Sequence, residues 1–302
     1  MKKVSIMLVF LVGVISLSAS GKKDDVQTGK PLLAVSILPQ SYFAQEIAKD
    51  SVELLVLVGE GQSPHSYEPT PLQIAKLSSA KAWVTSGTDF EISFITKVNA
   101  QFPSVAVIDG TRGMSFRKLN DWEAEPESEH EAEGDEHGEH DVDRHTWLGK
   151  DNAKIMISTI LRCLIELNPS MKDVYEENCR ILLTSVDETF ILLHDQLSPL
   201  KGKSILVFHP SFGYFLDEFG ILQLSVETGG KEPSARILAE LIDRVKKDQI
   251  PALFVQKQFP VAAAQKIANE TGAKVVALDP LAEDWRTNLL SIGNALKDVY
   301  NK

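Results

Sequence analysis

The sequence predicts an α/β protein with two lobes, each built on a four-stranded parallel sheet with flanking helices, joined by a long rigid helix. Short, continuously apolar runs alternate with helical segments in the first and last thirds of the chain. Continuous apolar runs are typical of parallel strands that are buried on both faces. The middle of the chain has a helical pattern throughout. We therefore expect lobes at 31–150 and 202–302 and a helical linker at 151–201.

The first lobe has a βα repeat. Thr70 followed by Pro71 marks one helix start, because Thr caps helices and Pro suits the first helical position. Such alternation predicts a right-handed, doubly wound sheet. The expected strands are Leu32–Leu38, Val52–Val58, Ala82–Ser86 and Val105–Ile108, and the expected helices are Gln40–Lys49, Pro71–Ala80 and Glu91–Ala100.

The linker contains two segments with apolar residues at three- and four-residue spacing, Asp151–Leu167 and Ser170–Leu200. Asn168-Pro169 separates them, since Pro disfavours a helical residue before it. The second segment is near thirty residues, which corresponds to a helix of roughly 45 Å. A helix of this length in a βα chain is expected to join two lobes.

The second lobe resumes the alternation. Pro233-Ser234 and Phe259-Pro260 indicate helix starts, and Gly272 indicates a helix end. The expected strands are Ser204–Phe208, Leu222–Val226, Ala252–Gln256 and Lys274–Leu278, and the expected helices are Ser234–Lys247, Val261–Thr271 and Asp284–Tyr300.

The N-terminus resembles an export signal that would be removed at about residue 20. Lys2 and Lys3 precede an apolar run that ends at Leu17 and is followed by small residues. This run is short for a membrane span and has the flanks of a cleaved signal peptide. A lipoprotein signal would need Cys where Ser20 stands, so we expect a soluble periplasmic protein without a lipid anchor or stable membrane insertion.

An acidic segment dominates the charge of the chain. Between Asp121 and His145 there are twelve acidic residues, one arginine and four histidines. The formal net charge of this stretch is therefore equal to that of the whole chain, −11. The segment has no apolar periodicity, so 121–143 is expected to be a solvated loop. Imidazole and carboxylate together form a metal-collecting composition, although a solvating loop without a metal role is the alternative. The acidic balance argues against a nucleic-acid partner.

The two cysteines, Cys163 and Cys179, do not have the close pairing of a zinc ribbon. Both fall in helical segments. An exported compartment permits a disulfide between them, and two separate buried thiols are the alternative.

Four candidate metal ligands follow predicted strands or the loops that leave them. Ligands bind beyond the carboxyl ends of the strands in open parallel sheets. His65 and His145 belong to the first lobe, and His209 and Asp279 directly follow strands of the second. These four residues therefore predict a site in the cleft between the lobes. His194 lies in the linker helix and is interpreted as a packing or surface residue, and the loop histidines His130, His137 and His140 are expected to bind metal only loosely.

The motifs that contain these residues carry a family resemblance. In order and spacing, SPHSYEPTP, HTWLGKDNA, FHPSFGYF, GGKEPSA and ALDPL, together with GTDFE, resemble the metal-binding proteins of bacterial zinc and manganese ABC importers. The resemblance covers nearly all of the chain after the signal. It implies two lobes joined by a rigid helix, a metal held by His65, His145, His209 and Asp279, and a membrane permease as partner.

The resemblance also bears on the metal. The third ligand is His in zinc-type members and Glu in many manganese-type members, and here it is His209. Zinc-type members often carry a His- and acid-rich loop at the corresponding position. Two positions depart from the family pattern. Gly149 stands where the family usually has Asp, and this change affects no ligand. Ser20 stands where a lipoprotein, as many relatives are, would have Cys.

The chemistry of the ligands agrees with this interpretation. Three imidazoles and one carboxylate suit tetrahedral Zn²⁺, whereas Mn²⁺ favours more oxygen ligands. A closed four-ligand site also argues against hydrolysis, which needs an open position for water, and the chain has no HExxH motif. We predict a monomeric, non-enzymatic protein that binds Zn²⁺ as cargo and delivers it to an ABC permease. The alternatives are a manganese-binding protein of the same family, a surface adhesin and a metallohydrolase.

Overall fold

The structure is a computed structural model that describes residues 29–120, 142–227, 234–259 and 261–300. Several predictions lie outside the described residues. They are the signal peptide at 1–20 with Ser20, most of the acidic loop with its three histidines, and the greater part of the GGKEPSA motif.

The first lobe contains the predicted four-stranded parallel sheet, in the order β2-β1-β3-β4. Its strands are β1 (Leu32–Ile37), β2 (Glu53–Val58), β3 (Ala82–Val84) and β4 (Ala106–Ile108), and its helices are α1 (Leu38–Ala48), α2 (Pro71–Leu77) and α3 (Asp89–Gln101). Thr70 caps α2 as predicted, since its hydroxyl accepts a hydrogen bond from the Gln73 N–H. β3 ends two residues earlier than predicted, because Ser86 turns to donate its N–H and hydroxyl to Glu91.

Two helices connect the sheets, α4 (Lys150–Leu167) and α5 (Lys172–Leu197). Helix α5 has 26 residues, which gives a length of about 39 Å. It is shorter than predicted because 3-10 turns at Pro169–Met171 and Ser198–Leu200 form its two ends. Within the described ranges, none of the helices combines the length and the apolar character required to cross a bilayer.

The second lobe repeats the topology of the first, with a parallel sheet in the order β6-β5-β7-β8. The predicted elements are β5 (Ser204–Val207), β6 (Leu222–Ser225), β7 (Ala252–Gln256), β8 (Lys274–Leu278), α7 (Ala235–Lys247), α8 (Val261–Thr271) and α9 (Trp285–Tyr300). A one-turn helix that the sequence analysis did not predict, α6 (Gly213–Asp217), lies between β5 and β6. The predicted fold class is therefore confirmed.

The hydrophobic core passes continuously from one lobe to the other. Ile205 and Val207 of β5 belong to the same cluster as the first sheet, whereas Leu206 between them faces a smaller cluster under α7 and α8. This alternation places the second sheet between two apolar layers. Two buried tryptophans strengthen the junction, since the Trp147 indole donates to the Pro280 carbonyl at 2.7 Å and the Trp285 indole donates to the Trp147 carbonyl at 2.7 Å.

The two cysteines lie in this shared core on neighbouring helices. Cys163 on α4 and Cys179 on α5 are both buried and both free. Of the two alternatives left open by the sequence, the structure therefore has separate thiols. Burial raises the pKa of Cys163 to about 12 and that of Cys179 to about 11, so neither thiol is activated as a nucleophile.

Candidate metal centre

Three of the four predicted ligands meet at one point. The Nε2 atom of His209 lies 2.9 Å from that of His65 and 3.3 Å from that of His145. The Nε2 atoms of His65 and His145 are 3.3 Å apart. In the part of the chain that the structure describes, this is the one group of three or more His, Cys, Asp or Glu residues whose ligand atoms all lie within 4.8 Å of one another.

The spacing of these nitrogens matches a tetrahedral zinc site. Zn–N bonds of about 2.0–2.1 Å at tetrahedral angles place neighbouring nitrogens about 3.3–3.4 Å apart. Two of the three Nε2 separations are 3.3 Å, and the third is 2.9 Å. A cation bound at their centre would therefore meet three nitrogen lone pairs without a large movement of the rings.

Different parts of the backbone position the three histidines. His65 lies in the loop after β2, where buried Tyr67 packs edge-on against Phe90 at 5.0 Å. His145 directly precedes the 3-10 turn Thr146–Leu148. His209 follows β5, and the Gln256 amide at the end of β7 binds both its N–H, at 3.2 Å, and its carbonyl, at 2.5 Å.

Each histidine ring has a carboxylate at its other nitrogen. His65 Nδ1 contacts Asp89, His145 Nδ1 lies 2.8 Å from Asp143, and His209 Nδ1 lies 3.1 Å from Glu227. A carboxylate that accepts the Nδ1 proton leaves the Nε2 lone pair available, and such partners orient metal-binding histidines. The carboxylates therefore fix the tautomer that a metal needs at all three rings.

These three carboxylates are functional candidates that were not predicted from the sequence. Asp89 lies in the GTDFE motif at the start of α3, and Asp143 was included only in the acidic segment. Glu227 follows β6, and the strand-end argument that selected His209 and Asp279 would also have selected it.

The site is mostly buried, and its interior is partly apolar. His145 and His209 are 8% and 5% exposed, whereas the His65 side chain is 35% exposed. The His209 ring stacks on Phe259 with centroids 5.0 Å apart. Burial lowers the pKa of His209 well below 6.5, and the neighbouring His65 and His145 lower it further. His209 is therefore neutral, as metal coordination requires.

A cavity of about 20 Å³ lies beside the three rings. This space holds about one water-sized group, which suits a single ion. Besides the histidines, its lining includes Pro64, Trp147, Ser211, Gln258, Phe259 and Leu281.

Asp279, the fourth predicted ligand, lies next to this cavity but outside the histidine cluster. It follows β8 as predicted and is 9% exposed, and its neighbours Pro280 and Leu281 line the cavity. Its carboxylate accepts hydrogen bonds from the Leu281 N–H at 2.9 Å and the Gln258 amide at 3.2 Å, and it lies 3.4 Å from the Lys257 ammonium. The structure therefore brings three of the predicted ligands together, whereas the carboxylate of the fourth contacts Leu281, Gln258 and Lys257 instead.

Arginines lie beside two of the three carboxylates that contact the histidines. Arg144 pairs with Asp89 at 3.0 Å, and Arg117 lies 3.4 Å from the buried carboxylate of Asp143. Burial opposes ionisation of Asp89, but the hydrogen bond from His65 and the positive charge of Arg144 bring its pKa below the usual value. The pair with Arg144 thus helps to keep Asp89 ionised where it faces His65.

The fold and this cluster together define a two-lobed α/β protein with three converging histidines that could hold a metal ion. The chain belongs to the ZnuA family, described as the periplasmic component A of zinc-uptake complexes, whose family model matches residues 33–292. This confirms the resemblance expressed by the sequence motifs.

Individual relatives agree with this assignment. The zinc-binding lipoprotein AdcA of Streptococcus pneumoniae is 27% identical over 287 residues, which are 93% of this chain and 56% of AdcA. A putative metal-binding protein of Chlamydia muridarum is 27% identical over 97% of this chain and 99% of its own length. A crystal structure of ZnuA has a TM-score of 0.80 and 34% identity, covering 90% of this chain and 99% of that one. This chain thus spans about half the length of AdcA.

Proposed function

We propose that the protein binds one Zn²⁺ outside the cytoplasm and delivers it to the permease of an ABC importer. The observation that carries this proposal is the convergence of the His65, His145 and His209 Nε2 atoms within 3.3 Å of one another. The names of its relatives support zinc as the cargo, since AdcA is called zinc-binding and a ZnuA deletion mutant has been solved with zinc bound.

The donor atoms favour zinc over manganese. Three imidazole nitrogens suit a borderline cation that accepts four ligands, whereas manganese prefers six ligands that are mostly oxygen. The small cavity leaves little room for the additional waters that a six-coordinate ion would keep. The same chemistry supports zinc as cargo and makes manganese the weaker competitor.

We propose Asp279 as the fourth ligand. Its carboxylate accepts a hydrogen bond from Gln258, which lines the cavity, and a cation at the histidines would compete with Lys257 and Gln258 for its oxygens. Among the residues that the structure describes, the buried Gln258 carbonyl oxygen has no hydrogen-bond partner. A rearrangement of this amide would therefore cost little and would release the carboxylate.

A binding role fits this site better than hydrolysis. Four protein ligands would leave no open position for an attacking water. We also propose that export removes residues 1–20, that the mature protein is a periplasmic monomer without a lipid anchor, and that 31–150 and 202–302 act as the two lobes.

The test is metal competition on the purified protein from which Glu123–Glu139 have been deleted, so that the acidic segment does not contribute. Calorimetric titration should give one tight zinc equivalent that a large excess of Mn²⁺ does not displace. Displacement of zinc by a comparable concentration of Mn²⁺ would overturn the zinc assignment. The absence of a tight equivalent for either metal would overturn the binding role.

A further inference from the structure

We propose that Arg117 is a positioning residue that links contact between the two lobes to the orientation of His145. It acts through Asp143 on one side and Asp217 on the other. This inference rests on the proposed function, because it concerns how tightly the histidine site retains its metal.

Asp143 holds the His145 ring and backbone together. One carboxylate oxygen of Asp143 accepts hydrogen bonds from the His145 N–H at 2.9 Å and from Nδ1 at 2.8 Å. The Asp143 side chain is 0% exposed, so its charge needs a partner within the protein. Arg117 supplies that partner, with Nη1 3.4 Å from the other carboxylate oxygen.

The same arginine reaches the second lobe. Arg117 Nε donates to the Asp217 carboxylate on α6 at 2.7 Å. The Arg117 side chain is 11% exposed and the Asp217 side chain is 54% exposed, so the pair lies at the edge of the contact, where solvent reaches Asp217 but hardly reaches the guanidinium. One guanidinium therefore neutralises a carboxylate of the metal centre and a carboxylate of the opposite lobe.

Tyr214, also on α6, connects the backbones of Arg117 and Asp143 to the second lobe. Its hydroxyl accepts a hydrogen bond from the Arg117 N–H at 2.8 Å and donates one to the Asp143 carbonyl at 2.9 Å. The Asp143 N–H in turn donates to the Arg117 carbonyl at 2.9 Å. The two chain segments that carry Arg117 and Asp143 are thus joined to each other and to α6.

Gly213 allows this close approach. A Cβ atom at this position would lie 2.5 Å from Arg117 Cζ and 2.7 Å from the Asp143 carboxylate, distances that real Cβ atoms do not adopt. Helix α6 therefore begins with the one residue type that lets its backbone lie directly against the Arg117–Asp143 pair. The contact between the lobes is centred on the group that orients His145.

Separation of the lobes would remove Asp217 and Tyr214 from Arg117 and Asp143. The carboxylate that fixes His145 would then lose part of its support, and the histidine site would hold zinc less tightly. By linkage, zinc would also favour the arrangement in which these contacts are made. Typical coupling between two such sites is about 5- to 150-fold in affinity.

The experiment compares zinc release from the full chain and from Asp217→Asn and Tyr214→Phe, measured by stopped flow with an excess of chelator. We expect release to be about 10-fold faster in both variants, with a matching loss of affinity. Asp187→Asn is the control, because Asp187 on α5 pairs with Lys154 at 2.5 Å and Lys150 at 3.0 Å and belongs neither to the histidine cluster nor to the ion pairs of Arg117. It should release zinc at the parent's rate.

A double-mutant cycle distinguishes positioning from a general structural effect. In a chain that already carries Asp143→Asn, the Asp217→Asn change should have little further effect on release, because its route to His145 is gone. Full additivity, or release from both single variants at the parent's rate, would overturn the inference while leaving the zinc site in place. A parent chain that binds no zinc would overturn the proposed function as well.

Discussion

Removal of one converging imidazole should weaken zinc binding severely. His209→Ala deletes the nitrogen that lies 2.9 Å and 3.3 Å from the other two, and it also removes a ring that is 5% exposed and stacked on Phe259. His65→Ala deletes a nitrogen from the exposed side of the same cluster. Both variants leave two imidazoles, so both should lose the tight site.

The size of the effect follows from the number of ligands. Four-ligand zinc sites in small domains contribute roughly 10–16 kcal/mol of binding free energy, which is about 3 kcal/mol for each ligand. A loss of about 3 kcal/mol corresponds to roughly 150-fold weaker binding. We expect His209→Ala to reach at least this value, because it also leaves a hole beside Phe259.

The assay is competition with a chromogenic chelator on proteins that all lack Glu123–Glu139. His194→Ala is the matched control, since His194 is exposed on α5 and is not part of the histidine cluster. Circular dichroism confirms that each variant is folded. Affinity within about threefold of the parent for both His65→Ala and His209→Ala would refute the assignment of the site.

Three further predictions concern pH, the acidic segment and the fourth ligand. The folded-state pKa of His209 is lowered below 6.5, so the unfolded chain takes up this proton first as pH falls. The metal-free protein should therefore lose stability below about pH 6.5, by at most about 1.4 kcal/mol per pH unit. In urea unfolding, the free energy of unfolding should depend less steeply on pH for His209→Ala than for the parent, and an equal dependence would contradict this. Deletion of Glu123–Glu139 should remove weak zinc equivalents in calorimetry and keep the tight one, whereas loss of the tight one would mean that the segment supplies a ligand. Asp279→Ala should weaken zinc binding about 10- to 100-fold, and unchanged affinity would mean that another group completes the site.

The fold was largely predictable because the strands are continuous apolar runs. Strands β7 and β8 begin and end at the predicted residues, Ala252–Gln256 and Lys274–Leu278. The errors arise where long-range contacts override local pattern. Glu91, in the next helix, accepts the Ser86 N–H at 2.8 Å and so ends β3 early. Helix α6 escaped prediction because one helical turn leaves no periodicity to detect.

The site was predictable where chain topology alone brings residues together. His65, His145 and His209 follow strand ends or the loops that leave them, and parallel sheets place those ends on one edge. Their carboxylate partners were missed because their pairing depends on side-chain directions. Asp89 is 24 residues from His65, and no spacing rule connects the two. The hydrogen bonds of Asp279 with its neighbours were unpredictable for the same reason.

Anomalous diffraction from a crystal of the zinc-loaded protein, recorded above and below the zinc absorption edge, would show whether the three histidines hold the metal. We expect one strong zinc peak about 2.0–2.1 Å from each of the His65, His145 and His209 Nε2 atoms. A chain loaded with one equivalent of zinc whose anomalous peak lies away from these three nitrogens would contradict it.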